Sequence, residues 1–129
     1  AAVLGEIVRE VYSIEIIETL ARESSELLNK LGYKNIHVKH GDGYQGWKEA
    51  APFDAILITA AAPKIPEPLL DQLKMEGRLV MPLGKSRAPQ ELIALTKTEN
   101  GLKKRVVEIV AFVPMTGEVR NIGKDSFPD

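Results

Sequence analysis

No cysteine occurs among the 129 residues, which excludes a disulfide framework, a thiolate nucleophile and a cysteine-based zinc site. Charge of neither sign dominates: 17 Lys+Arg face 18 Asp+Glu, a net charge of −1. There is accordingly no basic surface for non-specific binding to nucleic acid. No apolar run approaches the ~20 residues that cross a bilayer, and no secretory-signal pattern opens the chain. A cytoplasmic domain with no nucleic-acid or membrane partner is expected. No G-x-x-x-x-G-K-[ST] loop occurs, and the one G-x-G-x-x-G spacing, Gly41-Asp42-Gly43-Tyr44-Gln45-Gly46, follows the second predicted strand and not the first, where a nucleotide loop would stand. The chain opens on Ala1-Ala2 instead of methionine, and its first residues read as the helix that would follow such a loop. The expectation is a polypeptide clipped at its front.

What is present is alternation. A chain of this length, 44% hydrophobic, fits one domain over residues 1–129 and can bury about two-thirds of its unfolded surface. Val3, Leu4, Ile7 and Val8 predict a helix over 1–9, and VYSIE predicts a strand over 11–15. Ile17, Leu20, Ala21, Ser24, Leu28 and Leu31 stand at helical spacing, and Gly32 closes a helix over 16–31. A strand at 36–40 follows, then a turn at Gly41-Asp42-Gly43, then a strand at 53–59 apolar enough to be covered on both faces. Pro66 with Leu69, Leu70 and Leu73 predicts the next helix. Strands at 77–82, 91–97 and 102–113 complete the chain, the last entered through a tight turn at Asn100-Gly101. Five alternations of strand and helix imply an α/β fold with a doubly wound, mostly parallel sheet, whose ligands bind beyond the carboxyl ends of the strands.

Three features fall at those ends: Glu15, Gly41-Asp42-Gly43 and Thr59-Ala60-Ala61. A carboxylate such as Glu15 can accept two hydrogen bonds from a ribose diol, or it can simply favour the start of the next helix. The diol role suits NAD, FAD and S-adenosylmethionine alike. Asp42 between two glycines can accept from the exocyclic amine of an adenine, or it can form an ordinary Asp-Gly turn. His37 and His40, three apart on a strand, point to opposite faces and do not make a metal pair. Trp47 reads as packing, and Lys103-Lys104-Arg105 as the solvated side of an edge strand.

Five stretches together make the chain familiar: VYSIE (11–15), LGYKNIHVKHGDGYQGW (31–47), APFDAILITAAAPKIPEPLLDQLKMEGRLVMPLG (51–84), QEL (90–92) and FVPMTG (112–117). Through them the chain closely resembles the C-terminal part of the protein-L-isoaspartate (D-aspartate) O-methyltransferases. FDAILIT alone suits many methyltransferases, whereas GDGYQGW followed by TAAAPKIPEPLLDQLK is specific to this family. The resemblance implies a Rossmann-like fold and S-adenosyl-L-methionine as cofactor. It implies methylation of the abnormal carboxyl of L-isoaspartyl or D-aspartyl residues in damaged proteins and peptides, as a repair step. By position, Glu15 and Ile16 match the residues at the cofactor's ribose and adenine. Asp42 and Gly43 match the pair at the adenine edge, and Thr116 matches a threonine near the cofactor. Val113, Pro114 and Met115 fall where the family lines its substrate cleft.

The departures matter as much. The family's glycine-rich loop, the strand before it and the upstream serine regarded as its active-site residue have no counterpart in the 129 residues, so no catalytic residue is assigned. Met75-Glu76-Gly77 replaces a more typical Pro-Gly-Gly turn. The absent strand would lie between those at 11–15 and 53–59. Three or four buried aliphatic side chains at ~1.5–3 kcal/mol each approach the stability of a whole domain. The isolated chain is therefore expected to fold poorly, or to self-associate through its incomplete sheet, and to be inactive alone. The alternatives are a non-catalytic adenosyl-binding remnant and a nucleotide-binding oxidoreductase domain.

Overall fold

The computed structural model describes residues 1–85 and 88–122. In chain order these form α1 (Ala2–Ile7), β1 (Val11–Glu15), α2 (Glu18–Lys30), β2 (Ile36–His40), β3 (Phe53–Leu57), α3 (Glu67–Asp71), β4 (Leu73–Leu83), β5 (Gln90–Thr98), β6 (Gly101–Val110) and α4 (Val119–Ile122). Short 3₁₀ turns at Gly43–Gln45 and Lys48–Ala50 bridge β2 and β3.

The strands divide into two sheets. β1 and β2 pair in parallel across the α2 crossover, and β3 and β4 pair in parallel across α3. β4, β5 and β6 then run as an antiparallel meander. β1 and β3 are not hydrogen-bonded neighbours, so each keeps one edge free. The α/β architecture expected from the sequence is present. Helical crossovers, however, join only the two parallel pairs, and a tight turn joins β5 to β6.

Helix α2 stops where its sequence tells it to. Gly32 takes φ +87°, Tyr33 N donates to Leu28 O and Gly32 N to Asn29 O, both at 3.0 Å. This double bond pattern satisfies the last carbonyls of the helix.

Burial is unequal between the halves. Ile58, Ala62, Leu69, Leu73, Leu79, Met81, Ile93, Leu95 and Val119 form the core, all of it around the larger sheet. In the front half only Val11, Ala21 and Leu28 are buried hydrophobics. Helix α1 forms but buries nothing; Val3 and Ile7 are more than 70% exposed.

Several boundaries differ from expectation. Residues 53–59 are not covered on both faces: Asp54, Ala55 and Leu57 are exposed. Helix α3 ends at Asp71, and Pro66 is its N-cap rather than its first turn. Leu73, at helical spacing from Leu69 and Leu70, instead opens β4 opposite Phe53. The β5–β6 connection places Thr98 opposite Gly101, so Glu99 and Asn100 form the loop and Gly101 already belongs to the strand. The basic run 103–105 lies exposed on β6, at the edge of its sheet, as expected.

Between Lys74 and Gly77 strand β4 swings away from β3, because Phe53 pairs with Leu73 but Ala55 with Arg78. Glu76 occupies the excursion at φ +64° and is the one non-glycine with positive φ among the described residues. That conformation costs an L-residue about 1–2 kcal/mol, partly offset by glycine's looser unfolded chain. Glu76→Gly should therefore stabilise the protein by about 0.5–1 kcal/mol, seen as a higher urea midpoint. An unchanged or lower midpoint would show that the excursion carries no such strain.

Candidate functional site

The carboxyl ends of β1 and β2 emerge side by side. Glu15 stands opposite His40 in the last rung of the ladder, and Gly41 N donates to Glu15 O at 3.0 Å. Paired strands run about 4.8 Å apart, so Glu15-Ile16 and Asp42-Gly43 leave the sheet as adjoining turns. Glu15 is half-buried, and its Oε1 accepts from Ile17 N at 3.0 Å. Ile17 is the N-cap of α2, so the helix-entry role and the strand-end position belong to the same carboxylate. Ile16 beside it is 37% exposed.

Asp42 opens the next turn and serves two partners. Its Oδ1 accepts from Tyr44 N at 3.0 Å, which starts the 3₁₀ turn at Gly43–Gln45. Its Oδ2 accepts from Glu118 N at 2.7 Å, across 76 positions of sequence. Ordinary Asp-Gly turn chemistry accounts for the first bond only. Each carboxylate oxygen retains a further lone pair for a ligand donor.

The segment after β6 completes the site. Ala61 N donates to Val113 O at 2.8 Å, and Met115 N donates to Ala61 O at 2.7 Å. This short parallel bridge, Ala61 to Pro114, lays Val113, Pro114 and Met115 beyond the carboxyl end of β3. Val113 is 70% exposed, whereas Met115 and Thr116 are half-buried. Gly117 follows at φ +99°, and a methyl group there would fall on the Asp42 carboxylate; only glycine permits that approach. A methyl on Gly43 would lie 3.8 Å from Met115 Cε. The structure thus brings Asp42, Gly43 and Val113 to Thr116 together, with Glu15 and Ile16 on the adjoining turn.

Gln72 is a further member of this region that neither spacing nor resemblance singles out. Its Oε1 accepts from Trp47 N and its Nε2 donates to Gln45 O, both at 2.8 Å. Gly46 between them takes φ +68°, and any side chain there would collide with the Gln72 amide. LLDQLK, half of it polar, gives no sequence signal for Gln72; its burial, and hence its need for partners, comes from the fold.

The remaining candidates are structural. Trp47 meets Tyr12 edge-on at 5.2 Å, with Lys39 Nζ 5.1 Å from the indole centroid. His37 stacks on Tyr12 at 4.8 Å, and its Nε2 lies 2.8 Å from Glu10 Oε2.

Tyr44 sits between core and site. Burial raises its hydroxyl pKa above the ordinary 10.0, and the carboxylates of Glu118, Glu67 and Asp42 push in the same direction.

Comparison with known proteins agrees over nearly the whole chain. The family profile of protein-L-isoaspartate(D-aspartate) O-methyltransferases matches residues 1–120. The chain is 56% identical over 118 residues to protein-L-isoaspartate O-methyltransferase 2 of Syntrophobacter fumaroxidans, covering 91% of this chain and 48% of that protein. It is 55% identical over 119 residues to the enzyme of the same name from Nitrosococcus oceani, covering 92% and 54%. A solved protein-L-isoaspartate O-methyltransferase superposes with a TM-score of 0.80 at 27% identity, covering 85% of this chain and 35% of that one. A Plasmodium falciparum protein of the same description, crystallised with S-adenosyl-L-homocysteine, superposes with a TM-score of 0.70 at 30% identity, covering 83% and 52%. The chain spans about half the length of the curated relatives it matches.

The raised Tyr44 pKa fixes the sign of an alkaline effect. A group whose pKa is higher folded than unfolded contributes fully below the unfolded value, about 10, and loses its contribution as pH rises through the folded value. In the protein at its natural full length, Tyr44→Phe should therefore remove part of the stability lost as the pH rises above about 10, read from urea midpoints. Parallel losses in wild type and variant would mean that Tyr44 ionises as readily folded as unfolded.

Proposed function

The chain belongs to the protein-L-isoaspartate(D-aspartate) O-methyltransferase family, and on that premise we propose that the protein, at its natural full length, methylates damaged proteins. The substrate is the abnormal carboxyl of L-isoaspartyl or D-aspartyl residues, and the methyl donor is S-adenosyl-L-methionine. Family membership displaces the nucleotide-oxidoreductase alternative. The observation that carries the reading is the family match over residues 1–120, supported by two carboxylates, Glu15 and Asp42, on adjoining strand-end turns.

The residues fit the adenosine half of the cofactor. Glu15 Oε2 takes no protein donor among the described residues, so it is available to a ribose diol. Asp42 retains acceptor capacity for an adenine amine, and Gly43 allows a flat ring to approach the backbone. The chain spans about half the length of the curated relatives it matches, so methyl transfer is proposed for the whole protein.

When bound, the cofactor supplies an electrophilic methyl group on a sulfonium. The protein's own task is positional. A carboxylate of reference pKa ~3.9 is already ionised at neutral pH, so no general base has to be built. Val113 and Pro114, which are exposed, and Met115, which is half-buried, would seat the peptide so that its carboxylate oxygen meets the methyl in line. Thr116 would stand between the two ligands, joining Met115 to the Gly117-Glu118 corner.

The test is transfer of labelled methyl from S-adenosylmethionine to an isoaspartyl peptide by the full-length protein. No transfer would end this reading. Glu15→Gln should raise the cofactor Kd about tenfold or more, the worth of a hydrogen bond to a charged group. An unchanged Kd would remove the ribose role from Glu15.

A further inference from the structure

Gln72 and Gln90 are the two buried polar residues among those described, at 6% and 3% exposure. Each uses both ends of its amide on backbone. Gln72 joins Gln45 O and Trp47 N, as described above, and its own carbonyl accepts from Phe53 N at 2.8 Å. Gln90 Oε1 accepts from Phe112 N at 2.7 Å, and its Nε2 donates to Phe112 O at 3.3 Å.

The two amides do the work of a ladder where the ladder has ended. Gln90 faces Val110 in the terminal rung between β5 and β6. Its side chain reaches Phe112, two residues further, where the backbone of β5 no longer follows. Likewise the loop at Gln45–Trp47 pairs with no strand, and Gly46 at φ +68° packs directly on the Gln72 amide. An amide is suited to both places because it offers one donor and one acceptor in a fixed plane, matching the carbonyl and N–H of the backbone.

Neither side chain is among the residues assigned to a ligand, yet each grips a different ligand loop. Gln72 holds the turn that continues from Asp42 and Gly43. Gln90 holds the residue immediately before Val113, Pro114 and Met115. Resting on the function proposed above, we infer that they are positioning residues with separable duties. Gln72 sets the cofactor's adenosine site through the 42–47 turn, and Gln90 sets the isoaspartyl-peptide site through the 112–116 segment.

Separable duties make a crossed test possible in the full-length protein. Gln72→Met and Gln90→Met remove both hydrogen bonds with little change in volume. Gln72→Glu and Gln90→Glu keep the shape and one acceptor but lose the donated bond, and they read the same split if a methionine variant fails to fold. Cofactor affinity is read by calorimetry with S-adenosylhomocysteine, and peptide KM by methyl transfer at saturating S-adenosylmethionine. Gln72 variants should weaken cofactor binding about five- to tenfold, with peptide KM within about twofold of wild type. Gln90 variants should do the reverse. A merely structural role would move both constants together in either variant, and that result, or no change in either constant, overturns the inference. An inactive wild type strikes instead at the function proposed above, while its S-adenosylhomocysteine titrations still judge Gln72. An active wild type whose variants show no split strikes at the positioning roles alone.

Discussion

The carboxylate of Asp42 is the joint on which the site depends. The two sheets share no ladder, so the geometry between them rests on side-chain and loop contacts. One oxygen of Asp42 shapes its own turn and the other holds Glu118, which follows the Met115-Thr116-Gly117 corner. A hydrogen bond to a charged group is worth roughly 1.5–3 kcal/mol, comparable to burying one aliphatic side chain. Nine buried side chains hold the larger sheet together, so Asp42 adds little to its cohesion. Its leverage is on position, because it ties the end of the chain to the turn after β2.

Around that joint the burial is lopsided. The larger sheet has a closed core, whereas the β1–β2 unit shows Val3, Ile7, Leu27 and Leu31 at more than half exposure. Contact between the halves is polar and aromatic: Gln72 on the 45–47 loop, and Tyr12 with its ring 5.9 Å from that of Phe53. Small displacements of one half against the other therefore act first on the strand-end turns, where Glu15, Asp42 and the 112–118 segment stand.

Much of this was legible in the sequence, and for identifiable reasons. VYSIE and IHVKH read as strands over the same residues the structure gives, since β-rich runs bounded by turn residues leave little choice. Gly32 announced the end of α2. Leu73 misled because its spacing from Leu69 and Leu70 fits a helix, while burial opposite Phe53 decided for a strand; tertiary packing overrides local periodicity there. The apolar run at 53–59 promised coverage on both faces, but face coverage depends on elements packed above and below the sheet, which pattern alone does not count. At the site, Glu15 and Asp42 were visible as acids at strand ends. The 113–116 segment was visible only through family resemblance, because its place depends on a bridge to Ala61 far away in sequence. Gln72 and Gln90 left no periodic trace at all.

That the hidden residues are neutral amides fits the chemistry proposed for the site. The reaction brings a sulfonium cation to a carboxylate anion, and at short range unit charges in a protein interact with several kcal/mol. A buried Lys or Glu gripping either loop would add a fixed charge beside one reactant and bias the binding of the other. A glutamine supplies a donor and an acceptor without net charge. Tyr44, an uncharged phenol at neutral pH whose pKa burial and three carboxylates raise further, satisfies the same condition. Gln72, Gln90 and Tyr44 thus add no net charge beside the two loops, and under the proposed function the ligand-facing charges would be those of Glu15 and Asp42, where a neutral diol and an amine would be read by hydrogen bonds.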